Sequence, residues 1–459
     1  MLRRKAYDLL TEWKGRAHKP LLVKGQMQVG KSYIVEEFAR ENYAHYVKVD
    51  FRRNAEARAV FSRGLGVDSI IGGLEVLYPD AVFEPGSTLI IFDGVQDCLL
   101  SYSSLKYFAL DGRYDVIAVA SLLEIAFRGN EEVSCPSVPA GYTEYLTMHP
   151  LDFEEFLWAK GIGDDTIAML RACIHDRVPI PEDMHLFFDS CFSEFMVVGG
   201  MPEAVMEYLD TGRLDRVVGI QERLWDDIGS DIRRYSTPYE AVKTMRCLAS
   251  IPERLVQSDR EFMQGDPEKI WRYLENLAWI RDSGIGNFCY RISSREVSLF
   301  ANEERGHFRI YFFDTGLLIS RYGDPVRKMV VMGESCFYSG AIAENVVAEC
   351  MVKCGITPRY YSKNSGDNRM ELDFVGKIGR DLVVMEVKSG KDREAPSLSK
   401  VSSVFKVDRR MMFEDTNIRI SDDGVEHYPL YAAAFMDSMG DSMDIDDIPW
   451  TEPIDFDTV

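Results

Sequence analysis

GQMQVGKS, Gly25 to Ser32, is the stretch on which the reading of the fold turns. It fits G-x-x-x-x-G-K-[ST] without a mismatch, and its surroundings fit as well. Apolar LLV precedes it at 21–23, and helical KSYIVEEFAREN follows it, giving strand, loop and helix in the order a phosphate-binding loop requires. Gly25 and Gly30 let the chain turn tightly, so that the amides of Gln26, Met27, Gln28 and Val29 face phosphate oxygens. The helix starting near Lys31 presents its positive end to the same oxygens. Lys31 is expected to reach the β- and γ-phosphates, and Ser32 to ligate magnesium. ATP and Mg are thus the expected cofactors.

Working outward, residues 20–150 alternate strand-like and helix-like runs. LLVKG, YVKVDF, TLIIFDG and DVIAVAS are separated by amphipathic segments such as VQDCLLSYSSLKYFAL. Such alternation implies a parallel sheet with helices on both faces, so the fold class is α/β. LIIFDGVQ, residues 89–96, ends a strand at Asp93, the expected magnesium partner of Ser32. The position after it, which in many nucleotide hydrolases carries the acid that readies water, is Gly94. Gln96 and Glu124 are the remaining candidates to position water. The N-terminal MLRRKAYDLLTEWKGR reads as an amphipathic helix with Leu2, Ala6, Leu9, Leu10 and Trp13 on one face.

Composition narrows the function classes. Hydrophobic residues at 46% and charged residues at 28% are ordinary for a globular protein, and 459 residues imply several domains. A net charge of −21 argues against a protein that coats nucleic acid over its whole surface. Apolar runs fall far short of the roughly 20 residues of a membrane helix. No secretory signal opens the chain, and the nine cysteines lack zinc-site spacing, so a cytoplasmic protein with free thiols is expected. The seven histidines show no metal spacing either.

Four regions follow: a P-loop domain at 1–155, a helical middle at 156–330, an α/β domain at 331–435, and an acidic tail expected to be disordered at 436–459. Residues 437–457 hold eight acids and no bases. In the third region, MELDFVG places Asp373 on a strand, and DLVVMEVKSG places Glu386 and Lys388 two apart on the next. Residues i and i+2 share a strand face, so these three can converge, with Glu344 of the preceding helix as a fourth member. The pattern resembles the PD-(D/E)XK (restriction-endonuclease-like) core. In active members of that fold the acids, here Asp373 and Glu386, hold a metal, and the lysine assists an attacking water.

Beyond the loop, WKGRAHKPLLVKGQMQVGKSYIVEEFARENYAHYVKVDF resembles the opening of a prokaryotic AAA-like ATPase family. FDGVQ, LDGRYDVIAVASLLEI and TMHPLDFEEFLWAKGI resemble its later blocks. GGMPEAV, YFFDTGLL and AENVVAE…ELDF…EVKSG resemble the companion domain that follows in the same family. The resemblance covers the chain to about residue 435. It implies the additional-strand type of P-loop fold, Asp93 after the second Walker strand, and a polar sensor on the fourth strand. It also suggests a winged-helix-like element after SIPERLVQSDREF. Three departures stand out: D-E-[IV]-Q is here Asp93-Gly94-Val95-Gln96, T-G-S is Val119-Ala120-Ser121, and an arginine common inside the loop is Met27. Sites of this kind are often completed by a neighbouring subunit's arginine, for which Arg113, Arg233 and Arg234 are candidates. The expectation is an ATP–Mg binder with slow or absent hydrolysis that acts as a nucleotide-dependent switch. The alternatives are a metal-dependent protein that cuts or binds nucleic acid through its C-terminal domain, and an interaction scaffold with a protein partner. No membrane association is expected.

Overall fold

The computed structural model describes residues 2–121, 139–257, 260–262, 267–293, 299–363, 370–389, 396–401 and 406–440. Glu124 and the tail beyond Gly440 lie outside the described residues. The chain forms two compact units. One comprises Met1–Gly163, Ser190–Phe288 and Arg309–Glu349; the other comprises Asp164–Asp189, Cys289–Phe308 and Cys350–Val459. These divide the helical middle between them, whereas the sequence boundaries at 155 and 330 kept it whole.

In the first unit, β1 (Leu21–Lys24), β2 (His45–Asp50), β3 (Thr88–Asp93), β4 (Asp115–Ala120) and β5 (Glu144–Thr147) form one sheet, ordered β2-β3-β4-β1-β5. Every pairing is parallel. β4 lies between β1 and β3, which is the additional strand that the resemblance implied. A parallel sheet is covered on both faces, which explains why TLIIFD and DVIAVA are apolar almost throughout. One face is filled by Phe51, Phe61, Phe92 and Phe108, whose rings meet edge-on or tilted at 5.3–5.8 Å between centroids. Each such contact adds about 0.5–1.5 kcal/mol beyond its burial. The register sets Asp50 beside Asp93 and Asp93 beside Val119, so the carboxyl ends of three strands finish level.

The N-terminal helix α1 (Lys5–Gly15) buries Ala6, Leu10 and Trp13. Leu9, expected on that face, is instead exposed, because at about 100° per residue it falls at the margin of the stripe made by Ala6, Leu10 and Trp13. The helical part of this unit includes Phe153–Ala159, opened by a capping box between Asp152 and Glu155, and the long helices Leu214–Arg234 and Pro238–Leu255. The GGMP and FDTG blocks meet at one joint. The Asp314 carboxylate accepts from the Gly200 amide at 2.7 Å and from Leu317 N at 2.9 Å, capping the helix Thr315–Tyr322. A Cβ on Gly200 would lie 2.1 Å from the Leu151 carbonyl oxygen. Close backbone packing, not ligand chemistry, accounts for those glycines.

The second unit is built on the C-terminal strands. β8 (Arg359–Lys363), β9 (Met370–Ile378) and β10 (Asp381–Val387) run antiparallel in turn, and β11 (Arg409–Glu414) then joins β10 in parallel. β13 (Glu426–Pro429) follows β11, and the short β12 (Arg419–Ile420) closes that edge. On the other side, β6 (Gly286–Ile292) pairs with β8 through Tyr290 and Arg359. β7 (Glu303–Phe312), of which 303–308 belong to this unit, follows as the opposite edge. The strands that a winged helix would use as its wing are therefore members of a larger mixed sheet. A 3-10 helix, Leu430–Ser438, buries Tyr431, Phe435 and Met436, so the ordered chain continues past residue 435. No helix among the described residues is long and apolar enough to cross a membrane.

Candidate functional site

The loop between β1 and α2 (Lys31–Asn42) is held by backbone geometry that only glycine accepts at two points. Gly25 has φ +148°, and a Cβ there would sit 1.9 Å from the Met148 carbonyl oxygen. Gly30, the N-cap of α2, has φ +91°. Gln28 also adopts a positive φ, 60°. Lys31 is 5% exposed, and its ammonium donates to the Gly25 carbonyl at 3.0 Å and to that of Gln26. Burial pulls the Lys31 ammonium down to about 7; Asp93 opposes this, and the charge of Arg52 adds to it. Asp93 does not offset that burial, and a phosphate would supply the further negative charge.

Ser32 Oγ donates to Asp93 Oδ1 at 2.8 Å, so the structure brings together the two residues expected to hold magnesium. The other Asp93 oxygen is 3.2 Å from Lys48 Nζ, which also reaches Glu36 at 2.9 Å. A serine hydroxyl with a carboxylate behind it suits a magnesium ion that keeps most of its waters. Around these residues lies a cleft of about 370 Å³, walled by Met27, Gly30, Lys31, Ser32, Asp50, Arg52, Arg53, Asp93, Gly94, Gln96, Val119 and Ser121.

Gly94 has φ +79°, and its amide donates to the Val119 carbonyl at 3.0 Å. Gln96 is buried, and its carboxamide oxygen accepts from the Ser121 amide at 3.2 Å. It thereby ties the ends of β3 and β4 together. Arg234 donates to Asp97 Oδ1 at 2.8 Å within the same chain. Arg233 lies against Ser230 and Met245. Arg113 is bound by Asp111 and Asp68 just ahead of β4, at the end of the strand opposite the cleft.

The loop glutamines turn away from the phosphate position. Gln26 donates to the Gly284 carbonyl at 2.9 Å and Gln28 to Asp227 at 2.7 Å. Val29 is fully buried, and its carbonyl accepts from Arg4 at 3.0 Å. A second cavity, about 500 Å³, opens beside the loop. Leu2, Tyr33, Ile34, Met148, Pro202 and Met206 give it an apolar lining, and Glu203, Glu207 and Asp210 an acidic rim. It shares Gln28, Gly30 and Tyr33 with the cleft. Reading along the chain missed this cavity, whose walls come from four distant segments. It also missed Arg52; the signal available was its place just past a strand end level with Asp93, where α/β sheets bind ligands.

In the second unit, Asp373 Oδ2 accepts from the Val387 amide at 3.0 Å, and Lys388 Nζ lies 3.6 Å from Glu386 Oε2. Asp373 and Glu386 are both buried. Glu344 belongs to the first unit, where its carboxylate takes Arg260 and the Tyr311 hydroxyl. Among the described residues, no group of three or more His, Cys, Asp and Glu side chains is placed to hold a metal ion.

Comparison with known families matches an AAA domain over residues 17–157. Two domains of unknown function follow, DUF8612 over 190–325 and DUF4143 over 339–432. No curated protein matches. Among solved structures, a Walker-type ATPase of Pyrococcus abyssi (PABY2304) is similar at 14% identity, covering 72% of this chain and 96% of that one, with a TM-score of 0.40. The ORC2 protein of Aeropyrum pernix, in ADPNP–ADP complexes, is similar at 13% identity, covering 72% and 94%, with a TM-score of 0.36. AMPPCP-bound DnaA from Aquifex aeolicus reaches 14% identity over 61% and 82%, with a TM-score of 0.29. Strand order and loop geometry, not these overlays, establish the fold. The first unit carries an AAA-type P-loop arrangement, which supports nucleotide binding.

Proposed function

We propose that this protein binds Mg-ATP, hydrolyses it slowly or not at all, and uses the bound nucleotide as a conformational switch. The observation that carries the binding is a cleft with a buried Lys31 beside Ser32 and Asp93, sharing Gln28, Gly30 and Tyr33 with a neighbouring apolar cavity. The triphosphate is cradled by the loop amides and Lys31, and the base occupies the apolar cavity, whose size is typical of ligand pockets. Ser32 and Asp93 would hold magnesium, which supplies charge neutralisation between the phosphates.

Slow turnover follows from what the cleft lacks among the described residues. Gly94 has no side chain to accept a proton from water, and general-base help is worth about 10²–10⁴-fold. Gln96 is committed to the Ser121 amide, and Arg234 to Asp97. The test is a calorimetric titration with Mg-ATP beside phosphate release on the same sample, with Lys31→Ala as control. Turnover of about 1 s⁻¹ or faster, the lower edge of ordinary enzymes, refutes the slow-hydrolysis part. Absence of binding refutes the whole.

A second reading concerns the C-terminal sheet. The β8–β11 pattern and the juxtaposition of Asp373, Glu386 and Lys388 favour a PD-(D/E)XK-like domain that contacts nucleic acid. Incubation of plasmid with Mg²⁺ or Mn²⁺ tests it. Nicking abolished by Asp373→Ala supports cleavage, and an intact plasmid with both proteins removes it.

A further inference from the structure

Arg52 is placed with some care by its neighbours. The Asp50 carboxylate, at the end of β2, accepts from the amides of Arg52 and Arg53 at 2.9 and 3.1 Å. The Phe51 amide donates to the Asp93 carbonyl at 3.0 Å, and the Phe51 carbonyl accepts from Arg58 at 2.6 Å. The backbone is thus fixed on both sides of residue 52, beside the magnesium-side carboxylate. Arg52 lines the phosphate cleft together with Lys31, near enough for its charge to act on the Lys31 ammonium. Two cations facing one cleft repel each other until an anion lies between them.

The other nearby cations are already committed. Lys48 lies between Glu36 and Asp93. Arg53 is 88% exposed beside Asp50. Arg234 makes a close bond to Asp97. The ion pair from Arg52 to that same Asp97 is loose, at 3.7 Å, and its surroundings include Asp231 and Tyr235 near the end of the helix Leu214–Arg234.

We propose that Arg52 is the γ-phosphate sensor of this site, an arginine that the chain supplies itself from just past the end of β2. With a triphosphate bound, Arg52 leaves Asp97 for the terminal phosphate, and Asp97 passes wholly to Arg234. With a diphosphate, Arg52 stays on Asp97, and the two arginines share it. The inference rests on the proposed nucleotide binding and adds how the site tells ATP from ADP, and which helix end registers the difference.

The experiment compares equilibrium affinities for Mg-AMPPNP and Mg-ADP in the wild type, Arg52→Ala, Arg52→Lys and Arg113→Ala. Arg52→Ala is expected to weaken AMPPNP about tenfold to a hundredfold, the worth of a charge-assisted hydrogen bond, and to leave ADP within about twofold. Arg52→Lys should recover part of that loss, and Arg113→Ala, at the end of the sheet away from the cleft, should change neither ligand. Equal effects of Arg52→Ala on both nucleotides, or no effect on either, overturn the inference while leaving nucleotide binding intact. A wild type that binds neither nucleotide overturns the proposed function, and this inference with it.

Discussion

Nucleotide binding should draw a proton from solvent at mildly alkaline pH, because burial holds Lys31 at about 7. A phosphate-bound lysine must be an ammonium, so binding to the neutral form includes protonation. With a free-state value near 7, about 0.9 of the lysine is neutral at pH 8, and binding takes up about 0.9 of a proton. The affinity should fall about eightfold between pH 7.5 and 8.5, approaching 1.36 kcal/mol per pH unit. The assay is calorimetry at fixed pH in buffers of different ionisation enthalpy. Uptake makes the observed heat more endothermic as buffer ionisation enthalpy rises, with a slope equal to the proton number. A flat plot at pH 8 together with a flat affinity profile refutes the reasoning, since it means that the carbonyls of Gly25 and Gln26 already keep Lys31 charged. The same displacement acts on stability. The unfolded lysine, near 10.5, binds more protons than the folded one, so the nucleotide-free protein gains stability from this group as pH rises from 7 to 10.5.

Gly94→Glu restores the acid that the cleft lacks. A Cβ there meets nothing closer than 3.6 Å, so the cost is the left-handed backbone, about 1–2 kcal/mol, read as a lower melting temperature. ATP turnover should rise above wild type; a folded variant with unchanged turnover argues that more than the acid is missing. Gly25→Ala drives a carbon to 1.9 Å from a backbone oxygen at φ +148° and should destabilise by more than about 2 kcal/mol in urea titrations. A wild-type midpoint sinks the claim that this glycine holds the loop. In the second unit, burial works against the Glu414 charge, but hydrogen bonds from His427, Thr416 and Arg419 hold its carboxyl at about 2. Its stabilising effect is present above pH 4.5, the unfolded value, and is lost as pH falls toward 2. Glu414→Gln should flatten that part of the acid-unfolding profile, and identical profiles would refute the assignment.

Local physics explains what could be read from the chain. The phosphate loop announces itself because glycine spacing, strand and helix are contiguous, and Ser32 meets Asp93 because both end neighbouring structures of one sheet. Apolar runs gave the parallel strands, since those are buried on both faces. Where tertiary partners decide, the chain was silent or misleading. Arg234 looked available to another subunit, yet Asp97 binds it; the i, i+3 and i+4 pattern put Leu9 on the buried face of α1, yet it is exposed. Glu344 sits in the helix that precedes the carboxylate strands, but what it touches, Arg260 and Tyr311, belongs to segments that no periodicity connects to it. The apolar cavity is assembled from Leu2, Ile34, Met148 and Pro202, which have nothing in common along the sequence.

Holding a triphosphate and cleaving it make different demands, and the residues around this loop divide along that line. Gripping phosphate needs amides fixed in advance, because a loop ordered only on binding loses conformational entropy from the affinity. Here the fixing is done by side chains within the loop. Gln26 is clasped to Gly284, whose own Cβ would approach it to 2.9 Å, and Gln28 reaches Asp227 on the helix Leu214–Arg234. Those same bonds make the loop and the helices one mechanical body. On the proposed reading, a phosphate that shifts the loop or recruits Arg52 would act on Asp227 and, through Asp97, on Arg234 of one helix. Cleavage needs a base at the place that Gly94 leaves vacant, and nothing in the coupling depends on it. The proposed switch, thrown by occupancy and reset by release, fits that division, since Gly94 in place of a water-activating acid would lengthen the bound state without weakening the grip.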